Sequence, residues 1–129
     1  MLYAILCYNS EDVVCTWSKE EDEAVMARLD GVLRKYETKG KIGPVARLLP
    51  TSAATTLRKS ASPMVIDGPF AETKEQFLGF YVVDCVDLDE ALAIARELSE
   101  ANAGPGSYEI RPIGYMREPA LKTPQAASP

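Results

Sequence analysis

Two apolar segments of strand length, residues 2–8 and 77–84, constrain the fold of this chain most strongly. Each is followed by a segment with helical periodicity and then by a shorter strand pattern, at residues 45–49 and 108–113. The long segments are apolar at consecutive rather than alternating positions, which indicates that both faces of these strands are buried. The chain therefore reads as strand–helix–strand, repeated twice around a common sheet.

Capping signals delimit the two predicted helices. Ser18 and Glu21 form the sequence pattern of a capping box, and Gly40 is a fitting C-terminal stop for the first helix. Asp87 and Glu90 repeat the capping-box pattern at the start of the second helix. Apolar residues at helical spacing predict the buried faces, which are Val25, Leu29, Val32, Leu33 and Tyr36 in the first helix and Leu88, Ala91, Leu92, Ala95 and Leu98 in the second.

Between the two units, segments 54–58 and 64–66 flank a polar turn and predict a small hairpin. Two strand–helix–strand units in this order predict an α+β fold, a ferredoxin-like βαββαβ protomer with the hairpin inserted. Because two helices cover only one face of a sheet, a monomer would leave the other apolar face in water. We therefore expect a homodimer that packs sheet against sheet.

Composition and charge exclude several classes of function. The 129 residues suffice for one core, and we expect a folded domain at residues 1–116 and a Pro- and Ala-rich tail at 117–129. The net charge of −5 argues against direct nucleic-acid binding, and no apolar run reaches the length of a membrane span. The cysteines lack Cys-x-x-Cys spacing, so we expect reduced thiols, with Cys7 and Cys85 in the core, and a cytoplasmic protein.

The segment 67–76, Asp-Gly-Pro-Phe-Ala-Glu-Thr-Lys-Glu-Gln, is the strongest functional signal and is called the motif below. Gly68 tolerates unusual dihedral angles and Pro69 lacks an N–H, so the motif should form a turn of fixed shape before a buried strand. Charged side chains held on such a turn meet the need of a preorganised site. We therefore expect the motif to border the main concave pocket, with Asp67 and at least one of Arg58, Glu72 or Arg111 facing it.

The motif closely resembles the signature of the YCII-related, DGPF-domain family of small bacterial proteins. The resemblance runs from about the first strand to Ile113 and includes segments 54–58, 79–81, 89–91 and 109–113. It implies a dimeric α/β barrel built from ferredoxin-like protomers.

The same resemblance implies two different activities. Enzymatic members of the wider YCII group resemble muconolactone-isomerase-like proteins and use a His–Asp pair. This chain contains no histidine, and residues 25–29 occupy the stretch of the first helix in which those relatives carry it. Some DGPF proteins are associated with extracytoplasmic-function sigma factors, which implies a regulatory or accessory role instead.

Without histidine, a general base at neutral pH must be a carboxylate, a lysine or a tyrosine with a shifted pKa. Asp67 and Glu72 are the candidate catalytic residues, because neighbouring buried carboxylates acquire different pKa values. The candidate ligand-binding residues are charged or aromatic groups in or near the motif, namely Arg58, Lys74, Tyr81 and Arg111. In the structural alternative, Asp67 bonds backbone N–H groups of its turn, while Glu72 and Lys74 form ordinary ion pairs.

Two classes of function stay open from the sequence. The first is a small cytosolic enzyme or ligand-binding protein with a pocket near the motif. The second is a non-catalytic dimeric module that serves a partner protein. No cofactor is predicted, and the lack of histidine and of paired cysteines disfavours a metal site.

Overall fold

The computed structural model describes residues 1–117. Its elements, in chain order, are β1 (Leu2–Asn9), α1 (Glu11–Val14), α2 (Lys19–Glu37), β2 (Ile42–Arg47), a 3-10 turn (Thr51–Ala53), β3 (Thr55–Arg58), β4 (Met64–Asp67), β5 (Gln76–Asp84), α3 (Leu88–Ala101) and β6 (Ser107–Pro112). Four strands form an antiparallel sheet in the order β2-β5-β1-β6, and β3 pairs with β4 in a separate two-stranded sheet. The chain therefore has a mixed α+β architecture with antiparallel sheets, as predicted.

A complete capping box fixes the start of α2. The Ser18 hydroxyl accepts a hydrogen bond from the Glu21 N–H at 3.0 Å, and the Glu21 carboxylate accepts one from the Ser18 N–H at 3.0 Å. Both predicted interactions are thus confirmed. The helix ends at Glu37, and Gly40 adopts a φ of 69° in the turn that follows, a conformation that favours glycine.

The start of α3 has only half of the predicted box. Asp87 accepts a hydrogen bond from the Glu90 N–H at 3.0 Å, as expected. The Glu90 carboxylate instead accepts from the Val86 N–H at 2.9 Å and from Lys41 Nζ at 3.2 Å. Glu90 therefore joins the start of α3 to the residue that precedes β2, because the ammonium of Lys41 lies within its reach.

The hydrophobic core lies between α2, α3 and one face of the four-stranded sheet, called the core face below. Ile5 and Val83 on the sheet and Ile94 and Leu98 on α3 are fully buried. Burial of an aliphatic side chain of this size stabilises a fold by about 1.5–3 kcal/mol. On α2, the buried residues are Val25, Leu29 and Tyr36, as predicted, while Val32 and Leu33 are partly buried.

The buried face of α3 is rotated from the predicted one. Leu88 is 48% exposed, so its assignment to the face was wrong. Leu88 is the first residue of the helix, and the stripe that contacts the sheet begins one turn later. The stripe consists of Ala91, Ile94, Ala95, Leu98 and Ala101, two of which, Ile94 and Ala101, the prediction omitted.

Alternate residues of the central strands point to the opposite side of the sheet, called the open face below. Leu6 of β1 and Phe80 of β5 lie opposite each other on this face and are half-buried. On β6, Glu109 lies opposite Leu6 and Arg111 lies opposite Ala4. Since α2 and α3 both pack on the core face, the open face has an apolar centre with charged residues along its β6 edge.

The second strand of the sheet is displaced from its predicted position. A strand was expected at residues 45–49, but β2 spans Ile42–Arg47, and Leu48 and Leu49 are exposed. The register with β5 shifts between Ile42 and Val45, a stretch that contains Pro44. Because β2 is an edge strand, the missing N–H of this proline costs little, which is why the strand continues through it.

The hairpin of β3 and β4, residues 55–67, is called the arm below. Its apolar side chains are largely exposed, with Leu57 at 57%, Met64 at 58% and Val65 at 67% of full accessibility. Two-stranded hairpins are marginally stable by themselves in water. The arm therefore presents apolar surface that the sheet of its own protomer does not cover.

A turn at Gly68 connects the arm to the motif. Gly68 has a φ of 97°, so the predicted turn with an unusual backbone conformation at this glycine is confirmed. Its N–H donates to the Ala54 carbonyl at 2.7 Å, and its carbonyl accepts from the Thr56 hydroxyl at 2.8 Å. These bonds close the base of the arm and fix the direction in which the motif leaves it.

Within residues 1–117, no helix combines the length and the apolarity that crossing a bilayer requires. Of the predicted tail, residues 117–129, all but the first lie outside the described residues. The domain boundary at residue 116 therefore stays a prediction.

We expect Ser18→Ala to lower the free energy of unfolding by about 1 kcal/mol, because the Glu21 N–H loses its hydroxyl acceptor. Urea denaturation followed by circular dichroism measures the change. Ser99→Ala is the matched control, since Ser99 is also exposed and its hydroxyl donates to the Arg96 carbonyl inside α3. Equal losses in both variants would contradict a specific contribution of the cap.

Candidate functional site

A cavity of about 410 Å³ lies between the core face of the sheet and the helices α2 and α3. Its floor includes a row of residues that crosses all four strands, from Arg47 on β2 through Gly79 on β5 and Cys7 on β1 to Tyr108 on β6. Small-molecule sites in proteins have volumes of roughly 300–1,000 Å³. The cavity therefore has the size of a ligand site.

Gly79 leaves the centre of this row without a side chain. A Cβ at this position would clash with the backbone of Ala46 on β2. Glycine is therefore required for the approach of β2 to β5, and it also leaves room between Arg47 and Cys7. The residue that permits the strand pairing thus helps to open the cavity.

Three hydroxyl or thiol groups lie on or beside this floor, of which Tyr81 is buried and Cys7 and Tyr108 are partly buried. Tyr81 lies in the next row beside Ile5, is 8% exposed, and has its phenol pKa raised by burial. Burial also raises the pKa of the Cys7 thiol to about 12, and raises the pKa of Tyr108 above its ordinary value. All three groups are therefore neutral at pH 7 and serve as hydrogen-bonding groups rather than as nucleophiles.

Side chains from both long helices form the roof of the cavity. Val25 and Leu29 of α2 and Ala95 of α3 are buried there. Trp17, the single tryptophan of the chain, also lines the cavity and is partly buried. The lining residues Met26, Val45 and Arg47 are exposed and mark the opening beside β2, which is called the mouth below. Further exposed lining residues are Asp30, Arg96, Ser99 and residues 104–107.

A bidentate ion pair spans the mouth. Arg47 donates to Asp22 of α2 through two hydrogen bonds, Nη2 to Oδ1 at 2.8 Å and Nη1 to Oδ2 at 3.2 Å. The bond to Arg47 lowers the pKa of Asp22, and the bond to Asp22 raises the pKa of Arg47, so both groups are charged at neutral pH. The pair joins the edge strand β2 to α2, and the Asp22 carboxylate neutralises the guanidinium charge beside the cavity floor.

Two comparisons with known proteins identify the family. The family model of the YCII-related domain matches residues 1–117. The chain is also 66% identical over 118 residues to an uncharacterized protein of Rhizobium meliloti strain 1021, and the match covers 91% of this chain and 95% of that relative. The chain belongs to the YCII-related family. The family resemblance expected from the sequence is therefore confirmed.

One of the six site residues predicted from the sequence lines the cavity of this YCII-related protein, and it is Tyr81. The other five are exposed and lie outside the lining, namely Arg58, Asp67, Glu72, Lys74 and Arg111. Arg111 is on the open face, and the others lie in the motif or on the arm, whose two strands pair with each other rather than with the main sheet. Within one protomer, Asp67 does not face the cavity, and the roles proposed for Asp67 and Glu72 stay predictions.

The end of the motif nevertheless forms a hydrogen bond with a residue that lines the cavity. Glu75 accepts a hydrogen bond at 3.2 Å from the hydroxyl of Ser107, a lining residue. The Gln76 side chain accepts one at 2.8 Å from the Glu11 N–H, and the Glu11 carboxylate accepts from the N–H and hydroxyl of Thr51 at 2.7 and 2.6 Å. The motif therefore connects α1, the 3-10 turn and the start of β6.

Sequence reasoning missed most of the residues in the cavity. Cys7 was interpreted as a small core residue, and Arg47 and Tyr108 received no site role. Gly79, a glycine inside an apolar strand, was the one local signal of unusual packing. These residues meet through the register of four strands, which no short segment encodes. Among residues 1–117, no three His, Cys, Asp or Glu side chains are grouped as metal ligands would be.

We expect iodoacetamide at pH 8 to modify Cys15 in the folded protein, because Cys15 is exposed. Cys7 should react at least about a hundredfold more slowly, since burial raises the pKa of its thiol from 9.0 to about 12 and the thiolate is the reactive form. Peptide mapping by mass spectrometry follows each site over time. Full labelling of all three cysteines in urea is the control, and comparable rates at Cys7 and Cys15 without denaturant would contradict the cavity floor described here.

Proposed function

We propose that this YCII-related protein binds a small, mainly apolar molecule with one hydrogen-bonding oxygen in the cavity between sheet and helices. The observation that carries the proposal is the floor itself, in which Gly79 leaves a gap flanked by Cys7, Tyr108 and Arg47, with Tyr81 in the next row. Apolar walls supply contact area and a few fixed polar groups orient the ligand, which is the usual composition of a ligand pocket.

The polar groups of the cavity favour a neutral ligand. Cys7, Tyr81 and Tyr108 carry no charge at neutral pH, because burial raises the pKa of each. The charge of Arg47 is matched by Asp22. An ionised ligand without a charged partner in the cavity would lose the free energy of its hydration without compensation. Aromatic and alicyclic alcohols, phenols and ketones meet these conditions, since their oxygen can pair with the Tyr81 hydroxyl.

Two more specific functions are compatible with this proposal. If the ligand is a substrate, as an ancestry resembling muconolactone isomerases implies, Asp67 and Glu72 would supply the acid–base chemistry. Both carboxylates are exposed and outside the lining, so a second subunit would have to bring them to a cavity. Alternatively, the protein is an accessory module, for example of an extracytoplasmic-function sigma factor, and the exposed apolar arm supports this by offering a binding surface.

We expect 1-naphthol, a neutral aromatic alcohol, to bind and to shift the indole N–H resonance of Trp17 in a nitrogen–proton correlation spectrum. Because the chain has one tryptophan and it lines the cavity, this resonance reports on the site directly. Tyr81→Phe should raise the naphthol dissociation constant about three- to tenfold, because it removes one hydroxyl and retains the ring. Titration calorimetry measures both proteins.

Two variants serve as controls for this experiment. Tyr3→Phe removes a hydroxyl from another core-face tyrosine, 5% exposed and outside the lining, and should change the affinity by less than about twofold. Asp67→Asn should also leave the affinity unchanged. A loss of binding in folded Asp67→Asn would favour the motif as the site, and an unshifted Trp17 resonance at millimolar naphthol would contradict ligand binding in the cavity.

We also propose that the protein is a homodimer, in which ferredoxin-like protomers pack open face to open face as a dimeric α/β barrel. The strand order β2-β5-β1-β6 and the position of both long helices on the core face support this protomer type. A face four strands wide and about six residues long covers on the order of 400 Å², half of the roughly 800 Å² per partner in a typical interface. The exposed Leu57 and Val65 of the arm are suited to supply further contact.

We expect light scattering at micromolar concentration to give twice the chain mass of 14.1 kDa. Leu6→Glu should shift the protein to the monomer, because it places a carboxylate in the apolar centre of the open face. Leu88→Glu is the matched control, since Leu88 is 48% exposed at the start of α3, where an acidic residue is favourable. A monomeric wild-type protein would contradict the dimer.

A further inference from the structure

Arg47 is the cation in the row of residues that forms the cavity floor. It lies opposite Gly79 in the sheet register, and both residues line the cavity. Its guanidinium is fully engaged on one side by Asp22, with bonds of 2.8 and 3.2 Å to the two carboxylate oxygens. Arginine presents a planar fork that fits one carboxylate or sulfonate group in this bidentate manner. Asp22 therefore occupies the position that an anionic group of a ligand would need.

We propose that Asp22 determines the charge selectivity of the cavity, by holding Arg47 so that neutral ligands are accepted and anionic ligands are excluded. The inference rests on the proposed ligand binding and names the residue that determines whether the ligand is neutral or anionic. Removal of the Asp22 carboxylate would expose the guanidinium of Arg47 as an anion site at the mouth. The same cavity would then select a ligand that carries a carboxylate or sulfonate.

The remaining charged groups of the lining do not replace Arg47 in this role. Asp30 lines the cavity and is paired with Arg34 one helical turn away, Nε to Oδ2 at 2.8 Å. Arg96 of α3 also lines the cavity and is exposed, as Arg47 is, but it lies on the helix that packs on β1 and β6, away from the edge strand β2. An anion that approached the guanidinium of Arg47 would compete with Asp22 for its two donors. Repulsion and the occupied fork both act against binding of the anion.

The test compares two probes with the same ring system. 1-Naphthol is neutral at pH 7, whereas 1-naphthalenesulfonate is an anion, and both are titrated by calorimetry with the Trp17 indole resonance as the site reporter. The wild-type protein should bind the sulfonate at least about tenfold more weakly than the naphthol. In Asp22→Asn, the sulfonate affinity should rise about tenfold, as expected for one charge-assisted hydrogen-bonding pair, while the naphthol affinity changes less than about threefold.

Three further variants make the result specific. Asp22→Glu keeps the carboxylate and should keep the wild-type selectivity. The double variant Asp22→Asn with Arg47→Gln should lose the gained sulfonate affinity, because the guanidinium that bound the anion is gone. Glu97→Gln removes a carboxylate that is paired with Lys35 at 2.6 Å outside the lining, so it makes the same change in net charge and should leave both affinities unchanged.

The outcomes separate this inference from the proposed function. If neither probe shifts Trp17 in the wild-type protein, ligand binding in the cavity is contradicted. If naphthol binds but the sulfonate affinity does not rise in Asp22→Asn, the role of Asp22 is wrong and the ligand site stands. Asp22→Ser is measured in parallel, since it removes the same charge with a smaller side chain and replaces Asp22→Asn if that variant does not fold. An equal gain in Glu97→Gln would attribute the effect to net charge and would also overturn the inference.

Discussion

Packing of two helices on a single face of the sheet is the constraint on which the rest of the structure depends. Ile5 and Val83 contact Ile94 and Leu98 from one side, so each central strand sends every second side chain to a face that neither long helix covers. The open face and its apolar centre are direct consequences. The cavity is another, because the same two layers separate where Gly79 offers no side chain to fill the space.

Features that depend on a few neighbouring residues could be predicted from the sequence. The capping box at Ser18, the turn at Gly68 and the strand at the chain start are of this kind, since each rests on a local pattern. The buried face of α3 was harder to predict, because Leu88 and Ile94 are equally apolar and tertiary packing decides which of them is buried. The start of β2 was misplaced because a proline such as Pro44 indicates the end of a strand, unless that strand is known to lie at the edge of its sheet.

The candidate site was mostly beyond the reach of such patterns. Arg47, Cys7 and Tyr108 are distant in sequence and meet only through the pairing of four strands. The motif was predicted to be functional because it combines a fixed turn with charged side chains. In the structure, its turn at Gly68 closes the base of the arm, and Glu75 near its end accepts a hydrogen bond from Ser107. A rigid polar turn thus indicates a position that needs fixed geometry, and the closing of a hairpin is a structural reason for that need.

The cavity is open to water and is not an empty void. At about 24 cal/mol per Å³, an empty and dry void of 410 Å³ would cost about 10 kcal/mol, comparable to the whole stability of a small domain. The mouth at Val45 and Arg47 and the hydroxyl of Tyr81 instead allow water to enter and to find hydrogen-bonding partners. Water against apolar walls is weakly held, so a ligand that displaces it gains the contact energy of the roof while retaining one hydrogen bond to the floor. In the proposed binding mode, a neutral ligand of moderate polarity would use both gains, whereas an anionic ligand that binds Arg47 would have to displace Asp22.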